Sequence, residues 1–118
     1  MSRASGTWGE AQVAAYLRKK GYQLIAHSYH CRFGEIDLIA RKGKALCFVE
    51  VKMRSNLQCG LPREYVTPQK QEKLRKTALF YLMEKELDCP VRFDVAEVYS
   101  DAQHTAASVR IEYLENAF

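Results

Sequence analysis

Two apolar runs of strand length, Gly34–Arg41 and Lys44–Lys52, flank the dipeptide Lys42-Gly43, and both carry carboxylates among their Ile, Leu, Val and Phe. Apolar runs either side of a Lys-Gly turn read as a β-hairpin. Burying a carboxylate without a partner costs several kcal/mol, and an ionised one more. A hairpin holding Glu35, Asp37 and Glu50 therefore needs a core on part of its surface and a positive partner for its acids. A divalent metal ion is one such partner. Residues 1–60 hold only four acids, Glu10, Glu35, Asp37 and Glu50, against ten Lys and Arg, so the clustering of three in this block is not a by-product of an acidic segment.

A two-residue turn at Lys42-Gly43 pairs Arg41 with Lys44, Asp37 with Phe48, and Glu35 with Glu50. Alternation along each strand then projects Glu35, Asp37, Glu50 and Lys52 from one face. Asp37 becomes the diagonal neighbour of Glu50, with β-carbons about 5–8 Å apart, close enough to share one cation. A turn of odd length would send one set to the other face. Mg²⁺ or Mn²⁺ suits such a site, because hard cations take oxygen ligands, often one or two carboxylates with water and substrate phosphate. The peptide oxygen of Val51 lies between Glu50 and Lys52 and is a further candidate ligand. The Lys52 ammonium is a candidate to hold an attacking water or a phosphate oxygen. The competing reading is the wet face of an ordinary antiparallel sheet.

The rest of the chain supplies two helices and three more strands. A helix over Thr7–Lys20 follows a loose tail, Met1 to Gly6. Thr7 and Glu10 have capping-box spacing, Val13, Ala14 and Leu17 form a stripe near period 3.6, and Gly21 is a natural stop. Tyr22–His30 reads as a strand and Arg54–Val66 as a loop. Thr67 caps a second helix with Pro68 at its first position. Its buried face is Leu74, Ala78, Tyr81 and Leu82, and Pro90 marks its end. Val91–Tyr99 and Val109–Leu114 read as the last strands, with a polar loop at 101–107. The order is α-β-β-β-α-β-β, a mixed α+β class with a central mixed sheet of five strands flanked by helices.

The chain of 118 residues suits one domain, 1–118, and its apolar fraction of 47% with thirteen aromatics argues against disorder. Charge is uneven: net +6 over residues 1–60 and net −2 over 61–118, and a basic half suggests an anionic partner such as nucleic acid. Lys70 and Lys73, with Arg75 and Lys76, give the second helix a basic surface, and Lys70 lies in the first turn, where the helix dipole favours phosphate. Arg54 and Arg63 bracket the long loop as candidate contacts to backbone phosphates. Cys31, Cys47, Cys59 and Cys89 make no Cys-x-x-Cys pair, and with His27 and His30 they match no common zinc spacing. No run suits a signal peptide or a membrane span, so the expectation is a reduced, cytoplasmic protein.

Gly34-Glu35-Ile36-Asp37-Leu38-Ile39-Ala40, followed by Phe48-Val49-Glu50-Val51-Lys52 and Arg54, closely resembles the small bacterial YraN family, a predicted class of endonucleases. The resemblance runs from Trp8-Gly9-Glu10 through Val66-Thr67-Pro68 and Arg92-Phe93-Asp94-Val95 to Asn116-Ala117-Phe118. That family looks like part of the PD-(D/E)xK nuclease superfamily, with restriction enzymes and archaeal Holliday-junction resolvases. The resemblance implies a restriction-endonuclease-like core and hydrolysis of DNA phosphodiester bonds with Mg²⁺ or Mn²⁺, on branched or repair intermediates. By resemblance, Asp37 takes the first motif acid, Glu50 the second, Lys52 the motif lysine, and Glu10 the helical acid of the metal site. Ile36 stands where the usual motif has proline. Glu35 is a supporting residue, or a partner of Arg32. Resolvase-like relatives imply a homodimer. The alternative function is a non-catalytic module that binds nucleic acid or protein on the same fold.

Overall fold

The expected order α-β-β-β-α-β-β is the order found. The computed structural model describes residues 3–55, 66–100 and 109–118. Its elements are α1 (Arg3–Lys19), β1 (Gln23–Cys31), β2 (Gly34–Lys42), β3 (Ala45–Ser55), α2 (Pro68–Glu84), β4 (Val91–Ser100) and β5 (Arg110–Leu114). The five strands form one sheet in the order β1-β2-β3-β4-β5. β1–β2, β2–β3 and β4–β5 are antiparallel, whereas β3 and β4 run parallel from Leu46↔Val91 to Ser55↔Ser100. Parallel neighbours need a crossover, and α2 is the helix in it.

Each helix covers one face. Val13 and Leu17 of α1, both fully buried, pack on Leu38, Ala40, Cys47, Val49, Val51, Ala96 and Val98. Leu74, Ala78 and Tyr81 of α2 pack on Ile36, Ile39, Leu46, Phe48 and Val95. Burial of a single Leu side chain contributes about 1.5–3 kcal/mol, so a few such anchors hold each helix to the sheet. β3, apolar on both faces from Leu46 to Val49, is the shared wall of the two cores. Because the crossover reverses chain direction, the N-terminus of α2 returns to the later half of β3. That return places Lys70 beside Glu50.

The helix ends correct three expectations. α1 begins at Arg3, so residues 3–6 belong to the helix and Thr7 lies within it rather than capping it. Once Val13 and Leu17 anchor the helix, each upstream residue adds a hydrogen bond without a new nucleation step. α2 begins as expected: the Thr67 hydroxyl accepts the Lys70 N–H at 3.2 Å, with Pro68 in the first turn. It ends at Glu84, well before Pro90. The Leu87 N–H bonds the Leu82 carbonyl at 2.9 Å and the Glu86 N–H bonds Met83 at 3.2 Å, with Glu86 at φ +53°. This is a Schellman stop built without glycine.

The hairpin register also differs. Lys42 pairs with Ala45, Arg41 with Leu46 and Ile39 with Phe48, so the turn is Gly43-Lys44. Gly43 adopts φ +59°, the left-handed conformation that a two-residue hairpin turn needs at its first position. The slip is two residues, so Asp37 still shares a face with Glu50 and Lys52.

β4 carries one acid into the core on the α1 side. Asp94 is fully buried, and every acceptor direction is used. Arg92 Nε donates to Oδ1 at 3.0 Å and Oδ2 at 3.1 Å, Tyr113 donates to Oδ2 at 2.6 Å, and the Asn116 N–H donates to Oδ1 at 3.0 Å. Arg92 also donates to the Tyr22 hydroxyl at 2.6 Å. The cluster ties β4, β5 and the turn after α1 together, which gives Asp94 the structural role its place in the strand suggests. Removing one partner of a buried ion pair leaves an uncompensated charge and typically costs about 3–5 kcal/mol. Asp94→Ala is expected to lower urea-unfolding stability by about that amount, and Tyr113→Phe by about 1.5–3 kcal/mol for one bond to a charged group. A loss under about 1 kcal/mol for Asp94→Ala, against that scale, would contradict this assignment.

Candidate functional site

The alternation of β2 breaks at Asp37. Ile36 and Ile39 pack under α2, whereas Leu38 and Ala40 pack under α1. Strict alternation would keep residues 36, 38 and 40 on one face. β1 keeps its register across this level, His27 with Leu38 and Tyr29 with Ile36, but Ser28 between them has φ +50°. A non-glycine residue in that region costs roughly 1 kcal/mol or more and persists only where its surroundings impose it.

The break is where β2 leaves β3. Their pairing ends at Leu38↔Val49. The next N–H on that edge of β3, from Val51, donates to Asp37 Oδ2 at 2.8 Å. A side-chain carboxylate thus takes the place of a ladder acceptor. Carrying the register one step on sets Asp37 directly across from Glu50, closer than the diagonal relation expected from the sequence. A strand residue aims its N–H and C=O at the same neighbour, so the Val51 carbonyl faces this gap too.

Burial pushes the Asp37 carboxyl up to about 7, the Glu50 charge adds to the rise, the Val51 N–H opposes it, Glu10 adds to it, and Lys70 lowers it. Glu50 is buried, and Lys70 Nζ lies 3.0 Å from its Oε1. Burial works against the Lys70 ammonium, but the bond and charge of Glu50, with Asp37 and Glu35, raise its pKa overall. Asp37, Glu50, Lys70 and Lys73 line one cleft of about 230 Å³, with Gly34 and Glu35 at its β2 side and Leu74 and Thr77 on α2. Gly34, at φ +149°, lets β2 start against α2: a β-carbon there would sit 3.1 Å from Thr77 Oγ1.

Lys52 shares the face of Glu50 by alternation and is half-buried beside Glu97 of β4. Glu35 is exposed and pairs with His30 Nδ1 at 3.3 Å rather than with Arg32, because β1–β2 pairing sets His30 across from it. Glu10 is not a cap; its carboxylate accepts the Ser28 hydroxyl at 3.1 Å, at the edge of a larger, mostly apolar groove of about 540 Å³ between α1 and β1. It is near enough to Asp37 to raise its pKa, yet among the described residues no three His, Cys, Asp or Glu converge tightly enough to enclose a metal ion. Arg54, expected on a phosphate, is turned inward, with its NH2 3.2 Å from Glu97 Oε2, because parallel pairing brings β4 alongside. Arg63 lies outside the described residues.

Two residues of the site escaped the sequence reading. Thr77 is fully buried and donates to the Lys73 carbonyl at 2.8 Å; its signal was a polar residue inside the Leu74, Ala78, Tyr81 stripe. His30 was legible only through the β1–β2 register. The oxygen set that remains, two facing carboxylates and the Val51 carbonyl, fits a hard dication that completes its shell with water and phosphate.

The family model described as "Uncharacterised protein family UPF0102" matches residues 9–98. The chain is 45% identical to the "UPF0102 protein" of Syntrophus aciditrophicus (strain SB), over 97% of this chain and 87% of that protein. It is 42% identical to that of Geotalea uraniireducens (strain Rf4), over 99% and 91%. With the protein of Alkaliphilus metalliredigens (strain QYMF) it shares 44% identity over the full length of both.

The raised Asp37 pKa makes a stability statement. Its folded value, about 7, exceeds the ordinary carboxylate value near 4, so the folded state holds the proton more tightly. The stability linked to that proton is complete below about pH 4 and is lost as pH rises to about 7. Asp37→Asn keeps an acceptor for Val51 without the charge. Its stability advantage over the native chain should grow between about pH 4 and 7 and level off above, reaching on the order of 1–3 kcal/mol in metal-free urea unfolding. A constant difference across that range would contradict the assignment.

Proposed function

We propose, from the premise that the chain belongs to the uncharacterised protein family UPF0102, that it is a metal-dependent endonuclease hydrolysing phosphodiester bonds of DNA. The observation that carries this reading is the facing pair Asp37 and Glu50 at the point where β2 parts from β3, with Asp37 held by the Val51 N–H. A half-buried acid set across from a buried one is unfavourable without a positive partner, and a dication joining the two is one such partner. Membership of the PD-(D/E)xK superfamily belongs to the same proposal, as does the choice of Mg²⁺ or Mn²⁺.

Asp37, Glu50 and the Val51 carbonyl would hold the cation. When bound, it supplies Lewis acidity, making a bound water more acidic and neutralising charge on the phosphoryl group. The protein's own groups do the rest. Lys52, one alternation beyond Glu50, donates to the attacking water or to a phosphate oxygen and orients it. Lys73, on the cleft wall, holds a non-bridging phosphate oxygen and sets the direction of in-line attack. Glu10 acts from behind Asp37 through charge, and its hydrogen bond to Ser28 fixes where that charge sits. Glu35, exposed and paired with His30, contributes negative charge at the mouth of the cleft. A chain with one such site cuts both strands of a duplex only as a pair, so a dimer on DNA belongs to the proposal.

The second reading, a non-cutting nucleic-acid-binding module, draws on one observation: Glu50 already has a cationic partner in Lys70. Cleavage of labelled branched, nicked and single-stranded DNA with Mg²⁺ or Mn²⁺ separates the two. The endonuclease reading expects cutting by the native chain and losses of about 100-fold or more in Asp37→Asn, Glu50→Gln and Lys52→Ala, each still folded. Binding without cutting on every substrate selects the module, and cutting that survives all three substitutions removes these residues from the mechanism.

A further inference from the structure

Lys70 occupies an unusual position for a phosphate-binding lysine. Its ammonium does not point into solvent but lies 3.0 Å from Glu50 Oε1, on the same acid proposed to hold the cation. Its backbone is fixed, because its N–H is bonded to the Thr67 cap. Its side chain is about half exposed, whereas that of Glu50 is almost wholly buried. The carboxylate therefore stays in place, and the lysine, on a flexible four-carbon stem, is the partner able to leave. Thr77 and Leu74 close the α2 wall below it, and Lys73, one turn on, lines the same cleft and marks the direction in which positive charge continues.

We infer that Lys70 is an internal counter-cation that competes with the dication for Glu50 and, once displaced, passes to the phosphodiester. The inference rests on the endonuclease reading and deepens it, by coupling metal entry to substrate entry. Glu50 and Lys70 together are neutral, so the cleft without a dication does not hold two uncompensated acids. Entry of a dication beside Glu50 replaces attraction by repulsion at Lys70. The nearest compensating charge then available is the anionic phosphate of a bound strand. Metal and nucleic acid would each bind more tightly in the other's presence, as linkage between two sites requires. Lys70 acts here as a positioning residue: it touches phosphate and Glu50, and it does not take part in proton transfer.

The test is Mn²⁺ titration of the full chain by calorimetry, with and without a DNA duplex. Lys70→Gln removes the charge and keeps the helix-forming character of the position, Lys70→Met is a second neutral variant, and Lys70→Arg keeps the charge. Without DNA, both neutral variants should bind Mn²⁺ about tenfold more tightly than the native chain, and Lys70→Arg about as weakly as it. With Mn²⁺ present, the neutral variants should bind duplex more weakly, and the salt dependence of binding should fall by about one phosphate contact. Unchanged or weaker Mn²⁺ binding in the neutral variants overturns the inference, as does equal tightening in Lys70→Arg. Glu50→Gln separates the two levels. If the native chain binds Mn²⁺ and Glu50→Gln does not, failure in the Lys70 series sinks this inference alone. If no variant binds Mn²⁺, the endonuclease reading falls with it.

Discussion

The hydrogen bond from the Val51 N–H to Asp37 is the contact on which the site depends. A strand edge must place each of its N–H groups, and β3 loses its β2 partner after Val49. Had β2 continued, a peptide carbonyl would have received the Val51 proton, and no acid would stand in the gap. Because β2 twists over at Asp37, a carboxylate takes that role with its Oδ2, and Asp37 lines the cleft together with Glu50. The same bond fixes the side chain, so the acid is positioned before any ligand arrives. Preorganisation of this kind makes a charged site effective, because little reorganisation is left for the moment of reaction.

Holding the acid there opposes stability, and the fold offsets it elsewhere. Burial and Glu50 together drive the Asp37 pKa upward, a direct sign that the folded chain resists the ionised form. Ser28 at positive φ adds local strain on β1 at the same level. Against this stand two apolar cores, one on each side of β3, and the fully bonded Asp94 cluster on the other face of the sheet. Asp94 and Asp37 are both carboxylates in strands, yet their surroundings differ. Asp94 is surrounded by donors, including a guanidinium, and serves the fold. Asp37 has one backbone donor and a facing acid, and in the proposed function that geometry serves the cation.

What could be read from the sequence was local. Thr67 before Pro68 marked the start of α2, Gly21 the end of α1, and the two apolar runs around Gly43 the hairpin, because caps and turns are decided by neighbouring residues. The shared face of Asp37 and Glu50 was legible through parity, although the register was off by two, since turns at Lys42-Gly43 and Gly43-Lys44 are both even. What the sequence hid was set by distant parts of the chain. The twist at Asp37 depends on a donor fourteen residues away. The capture of Arg54 by Glu97 depends on parallel pairing across the α2 crossover. The Lys70–Glu50 contact depends on where that crossover brings its helix. The early start of α1 follows from docking of Val13 and Leu17, which no capping signal at Thr7 could reveal.

The proposed function requires Asp37 and Glu50 to grip one hard cation between them. Anomalous diffraction from crystals of the chain grown with Mn²⁺ tests it most directly. The account expects one strong manganese peak bonded to both carboxylates, with the Val51 carbonyl in its shell and Lys70 moved off Glu50. A map with manganese bound elsewhere, or with Lys70 still on Glu50 and no peak between the two acids, would contradict it.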